Sequence, residues 1–231
     1  MNLTKFLQSA GLSHLVSQIG EINFNEFVDE AFRLERELSD DEEGKFYKYK
    51  VPKLAPDGSC SFGNVLEDKP YDLSQTYDIN SRNSLWLWRL NQLVSILQQN
   101  TNVDWLGIYK KVKRKNSDEV LLKLTYYGEP SRAEFPLTKE FAAHSNNSTV
   151  GLNGKAILVQ DLAEYKGPYY KCDGRVRSEF CCPIFNRAGE VIGIIDAESF
   201  IENFFDDGCI RTGWGQNQFS CIYSRHLRDV R

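Results

Sequence analysis

The feature that most constrains this chain is the stretch 167–199, GPYYKCDGRVRSEFCCPIFNRAGEVIGIIDAES. Two short apolar runs, 180–185 and 191–195, flank Asn186-Arg187-Ala188-Gly189, a turn segment whose glycine can take positive φ. That arrangement predicts a β-hairpin. With the turn centred near Arg187 and Ala188, an antiparallel register sets Glu179 opposite Asp196. Strand alternation then places Glu198 on the same face. Carboxylates grouped on one sheet face repel one another, so a cation, a shared proton or solvent has to compensate. Cys172 stands seven residues before Glu179, within loop reach of the three acids.

Around this hairpin the chain reads as an antiparallel sheet flanked by helices. Residues 3–16 and 24–38 carry apolar side chains at helical spacing and predict a helical extension over 1–45, closed by the acidic run 40–44. Residues 46–82 are an irregular connecting segment with Pro52, Pro56, Pro70 and several glycines. Loops of this length are uncommon unless they are functional or cover something. Cys60 lies in this segment. A domain over 83–231 follows, opening with an amphipathic helix at 83–99 whose Trp86, Leu90, Leu93 and Leu97 share a face. In the next run, VDWLGIY, alternation puts Trp105, Gly107 and Tyr109 on one face of a strand. The glycine leaves a gap between two aromatics, which suits either core packing or a pocket wall for a small ligand. Further strands are expected at 120–126, 132–137 and 157–162, and a final helix at 209–231. The glycines of 150–156 could cradle an anion, but their spacing is too loose for a phosphate loop.

Composition narrows the function. A net charge of −4 and a pI near 5.5 leave no basic footprint for nucleic acid. No apolar run approaches membrane-spanning length and the N-terminus lacks a signal-type core, so a cytoplasmic protein is expected. Six cysteines in a reducing compartment should be mostly free thiols. His14, His144 and His226 are far apart, and no Cys/His spacing suits zinc, so no metal is expected.

Taken together, WLGIY, the Cys-Asp loop ending in Ser-Glu (YYKCDGRVRSEF), Pro183 and the strand IGIIDAES resemble a GAF domain. More specifically, they resemble the free methionine-(R)-sulfoxide reductase family, from about Ser84 onward. The resemblance implies a GAF-like α+β fold and reduction of free methionine-(R)-sulfoxide to methionine. Cys172 would be the catalytic nucleophile, passing through a sulfenic acid. Trp105, Tyr109, Glu179, Asp196 and Glu198 would bind substrate. No cofactor is implied, only an external thiol reductant such as thioredoxin, and a homodimer is expected by fold analogy alone. Glu198 stands where the family has Asp. Lys171, Arg175 or Arg177 would have to offset the acids if Cys172 is to ionise.

The family's resolving cysteines have no counterpart here, because the corresponding stretches hold Ser131, Arg132 and Ala133, and Leu152 and Asn153. Resolution therefore falls to Cys60, Cys181, Cys182 or an external thiol. Cys181 and Cys182 are adjacent and so point to opposite sheet faces, where core packing also accounts for them; Cys209 and Cys221 read as structural. The alternative is a non-catalytic GAF module that binds a small ligand in a degenerate reductase pocket.

Overall fold

The computed structural model describes residues 3–15, 36–56, 58–60 and 65–205. Helix α1 (Leu3–Ser9) is followed by a 3-10 turn at Ser13–Leu15, so the expected first helix breaks at Gly11, whose φ is +80°. Most of the second expected helix, together with 209–231 and its cysteines Cys209 and Cys221, lies outside the described residues. The acidic run forms a single helical turn, α2 (Asp40–Glu43).

Strands β1 (Lys48–Tyr49) and β2 (Tyr71–Asp72) form a small antiparallel pair. Helix α3 (Ser81–Thr101) starts on Asn80, whose side chain accepts the N–H of Asn83, and ends where Asn102 turns left-handed at φ 55°. It buries Trp86, Leu90, Leu93 and Leu97, the stripe expected from the sequence. The main sheet contains β3 (Trp105–Lys113), β4 (Glu119–Tyr127), β5 (Glu134–Pro136), β6 (Ile157–Val159), β7 (Ser178–Phe185) and β8 (Val191–Ser199). Its order is β5-β4-β3-β8-β7-β6, with every neighbouring pair antiparallel. Between β5 and β6 come α4 (Lys139–Ala142) and α5 (Asn146–Asn153). This is the expected α+β architecture, an antiparallel sheet flanked by helices.

Alternation divides the sheet into two differently used faces. Leu106, Ile108, Leu122, Leu124, Phe180, Cys182 and Ile195 join the stripe of α3 in one apolar core, which also takes in Phe6 and Leu7 of α1 and Tyr47, Leu73 and Tyr77. The opposite face carries Trp105, Tyr109, Cys181 and Ile194, with Val150 of α5 packed on it.

The hairpin forms with a register two residues away from the expected one. Gly189 adopts φ +85°, the Asn186 N–H bonds the Glu190 carbonyl at 2.9 Å, and a bulge falls between Ile184 and Phe185. The turn is thus longer than its apolar flanks suggest. Glu179 stands opposite Glu198, and Cys181 opposite Asp196. A slip of two residues preserves the face, so the three acids still converge.

The connecting segment is held down by polar contacts. Arg114 donates to Thr76 Oγ1 and Tyr71 OH, both at 2.8 Å, and pairs with Glu134. Tyr49 OH donates to the Lys123 carbonyl at 2.7 Å. Among the described residues no helix is long and apolar enough to cross a membrane.

Candidate functional site

Three rows of cross-strand neighbours build the site. Trp105 pairs with Glu198 and Glu198 with Glu179; one step along, Gly107 pairs with Asp196 and Asp196 with Cys181; then Tyr109 pairs with Ile194. Gly107 is required here, because a Cβ would overlap the Trp105 ring and come within 3.0 Å of Tyr109 Cε2. The two aromatic rings, 6.5 Å apart at their centroids, therefore lean over the position the glycine leaves open.

All three acids are buried. The first turn of α5 supplies partners for two of them. Asn146 Nδ2 donates to Glu179 Oε2, and Asn147 Nδ2 to Asp196 Oδ2 at 2.8 Å. Tyr165 OH steadies Asn146 by donating to its Oδ1 at 2.8 Å. Tyr169 OH donates to Glu198 Oε1 at 3.2 Å. Burial raises every carboxyl in the cluster. Glu179 is pushed well above the usual range by burial, then by the charges of Asp196 and Glu198. Glu198 moves the same way, through burial and then Asp196. Asp196 is pushed up by burial to about 7, opposed by the Asn147 hydrogen bond, the Ala197 N–H and the Lys123 charge. Burial thus favours the protonated form of all three carboxyls, and Asp196 is the one whose shift is opposed by a nearby cation, Lys123. Two buried acceptors, Asp196 Oδ1 and Asn147 Oδ1, have no aligned hydrogen-bond donor. Buried polar atoms are rarely left so.

Lys123 is fully buried beside this cluster. Its Nζ donates to Ser131 O at 2.7 Å and Ser131 Oγ at 2.8 Å, and lies 4.2 Å from the Tyr126 ring centroid. Burial holds its pKa well below the ordinary lysine value, with Asp196 pulling the other way.

Cys172 closes the chamber, and it is disulfide-bonded to Cys60, with the two Cα atoms 5.2 Å apart. That separation lies within the normal disulfide range. The expectation of mostly free thiols thus fails at this pair, because the connecting segment folds back over the site. Arg132 Nη1 fixes the approach by donating to the Gly58 carbonyl at 2.7 Å, and Tyr170 OH donates to the same oxygen. Cys181 and Cys182 are buried free thiols on opposite sheet faces. Burial pushes the Cys181 thiol well up, and Asp196 and Glu179 add to it. Of the cations expected to offset the acids, Arg175 is committed to Asp173 at 2.6 Å and Glu129 at 3.6 Å, and Lys171 and Arg177 are exposed.

The chamber is lined by Trp105, Tyr109, Asn147, Cys172, Asp196 and Glu198 among others, and has a volume of about 20 Å³. That is room for roughly one water molecule. A second, open cavity of about 260 Å³ meets it at Cys172 and Glu198. The described residues contain no group of three or more His, Cys, Asp or Glu placed to hold a metal.

Sequence reasoning passed over Asn146, Asn147, Tyr169 and Lys123. Lys123 carried a signal, being the one charge in the apolar run VLLKLT. The glycines of 150–156 make no anion cradle: Gly154 ends α5 in a left-handed turn, and Gly151 faces Leu137 and Leu121.

No family model and no curated protein matches this chain. Among solved structures it is similar to free methionine-R-sulfoxide reductase from Neisseria meningitidis in complex with its substrate. That likeness has 20% identity, covers 58% of this chain and 80% of the other, and gives a TM-score of 0.44. A type II free methionine-R-sulfoxide reductase from Thermoplasma acidophilum matches at 20% identity, 56% and 85% coverage and a TM-score of 0.47. A GAF domain matches at 20% identity, 58% and 77% coverage and a TM-score of 0.46. At these values the roles of individual residues rest on the site's own geometry.

Proposed function

We propose that this chain reduces free methionine-(R)-sulfoxide to methionine, with Cys172 as nucleophile and Cys60 as resolving thiol. The observation that carries the reading is the Cys60–Cys172 bridge at the mouth of a buried, three-acid chamber. Cys172 thiolate attacks the sulfoxide sulfur while a protonated carboxyl delivers a proton to its oxygen; the S–O bond and the new S–S bond then break as the hydroxyl passes to Cys172 Sγ. Methionine leaves, and Cys172 becomes a sulfenic acid. Cys60 thiolate then attacks that sulfur and water is lost, so two thiols supply the two electrons.

The acid–base assignments follow from burial. Glu179 and Glu198, both pushed up by burial, are assigned as the donors to the sulfoxide oxygen. Asp196, whose carboxyl Lys123 helps to ionise, is assigned to the substrate ammonium, and its Oδ1 together with Asn147 Oδ1 offers two waiting acceptors. Trp105 and Tyr109 provide an apolar wall for the methyl and side chain. A small chamber with an ammonium seat favours a free amino acid over a residue within a protein chain. The chamber of the bridged form is too small for methionine, so reduction of the bridge precedes substrate binding.

The test is turnover of free methionine sulfoxide, R and S forms separately, by wild type and Cys172→Ser. Each is supplied with dithiothreitol and, separately, with a thioredoxin system. R-specific turnover that vanishes in the variant is the expected result. No turnover with either donor, while the amino acid still binds the reduced protein, would assign the chain to the ligand-binding alternative.

A further inference from the structure

The two sulfurs of the bridge are not equally open. Cys60 is 1% exposed, whereas Cys172 is half-buried and lines both the small inner chamber and the larger open cavity of about 260 Å³. A larger groove, about 650 Å³, touches the chain neighbours of both cysteines, Ser59 and Lys171, but neither cysteine lines it. The open cavity is also charged. Asp104, Glu129 and Asp173 line it against a single guanidinium, Arg175, with the burial-shifted Glu198 at its inner end. Asp104 Oδ2 is occupied by Ser199 Oγ and the Phe200 N–H, both at 2.8 Å, and Arg175 is held by Asp173 and Glu129.

From this asymmetry we propose that the open cavity is the access site for an external thiol, which attacks Cys172 Sγ rather than Cys60 Sγ and is selected against negative charge. The proposal concerns the bridge alone and holds whatever ligand the inner chamber takes. In the first step the external thiolate forms an S–S bond to Cys172 as the Cys60–Cys172 bond breaks. The electron pair leaves on Cys60 Sγ, which takes a proton. A second external thiolate then attacks the outer sulfur of the mixed disulfide, giving an oxidised thiol pair and Cys172 thiolate. Two thiols are oxidised and one bridge is reduced. The carboxylates around the cavity lower the local concentration of an anionic thiol and raise that of a cationic one.

The experiment uses the full chain in its oxidised form, with no sulfoxide present, so its outcome is independent of reductase activity. Cysteamine, 2-mercaptoethanol and 2-mercaptoethanesulfonate are each added at low ionic strength, and reactions are quenched early with iodoacetamide and mapped by peptide mass. The expected product carries the mixed disulfide on Cys172 and the carbamidomethyl group on Cys60. Cysteamine should open the bridge about fivefold faster than the sulfonate after correction for thiolate fraction, since one charge interaction of about 1 kcal/mol is at stake. Added salt should shrink that ratio. Glu129→Lys changes a half-exposed cavity side chain outside the inner chamber and should lower the cysteamine-to-sulfonate ratio severalfold. The mixed disulfide appearing on Cys60, a ratio near one for wild type, or a ratio untouched by Glu129→Lys would overturn the proposal.

Discussion

The proposed reaction turns on which of three buried carboxyls keeps its proton. Burial pushes Asp196 up to about 7, so its charge, and with it the proposed ammonium seat, appears as pH rises through that value. Below it the aspartate is neutral and binds an ammonium poorly. The specificity constant kcat/KM for methionine sulfoxide should therefore climb with pH, with its midpoint near 7, and level off roughly a unit higher. Asp196→Asn should remove that limb and raise KM, which a pH series on both proteins would read. Glu179→Gln keeps a hydrogen-bond donor but cannot deliver a proton. It should lower kcat roughly 10² to 10⁴-fold with little change in KM, measured under saturating reductant. Gly107→Ala drives a methyl into the Trp105 ring and should cost about 1–3 kcal/mol, measured by thermal or denaturant unfolding. At this scale the aromatic pair and the acids were legible because strand alternation alone sorts them onto one face. Asn146, Asn147 and Tyr169 were not. They reach the acids from a helix start and a loop, and no periodicity connects them to the strands they serve.

Among the elements, the hairpin and the connecting segment teach opposite lessons. The hairpin's strands were readable from their apolar runs. Its register was not, because one left-handed glycine and one bulge lengthen the turn without altering the apolar pattern. The described residues of the segment from 46 to 80 hold only two-residue strands, single bridges and 3-10 turns, so nothing in the sequence pattern says where Cys60 ends up. Its position is fixed by long-range polar contacts such as Arg132 to the Gly58 carbonyl, which only the folded chain brings together. If Cys60 resolves the sulfenic acid, Cys60→Ser should keep turnover with dithiothreitol while losing most of it with thioredoxin. A steady-state assay with the two donors checks this. Equal losses with both donors would make Cys60 structural.

For the molecule as a whole, the bridge joins residues 112 apart in sequence, linking the covering segment to the loop that leads into the sheet. Closing a loop of that size restricts the unfolded chain by about 4–5 kcal/mol. Oxidised protein should melt roughly 10 °C above reduced protein or above Cys60→Ser, a comparison for calorimetry. The fold class was legible because sheet and helix alternate clearly from residue 81 onward. The closed state of the site was not, since it depends on a contact between the most irregular stretch and a loop. The most direct measurement of the central claim is a single turnover. Fully reduced protein, freed of external thiol, is mixed with one equivalent of free methionine-(R)-sulfoxide, and methionine and the Cys60–Cys172 bridge are counted together. One methionine per bridge formed is expected, with neither appearing in Cys172→Ser. A bridge that never forms while methionine accumulates, or reduced protein that yields no methionine at all, would contradict it.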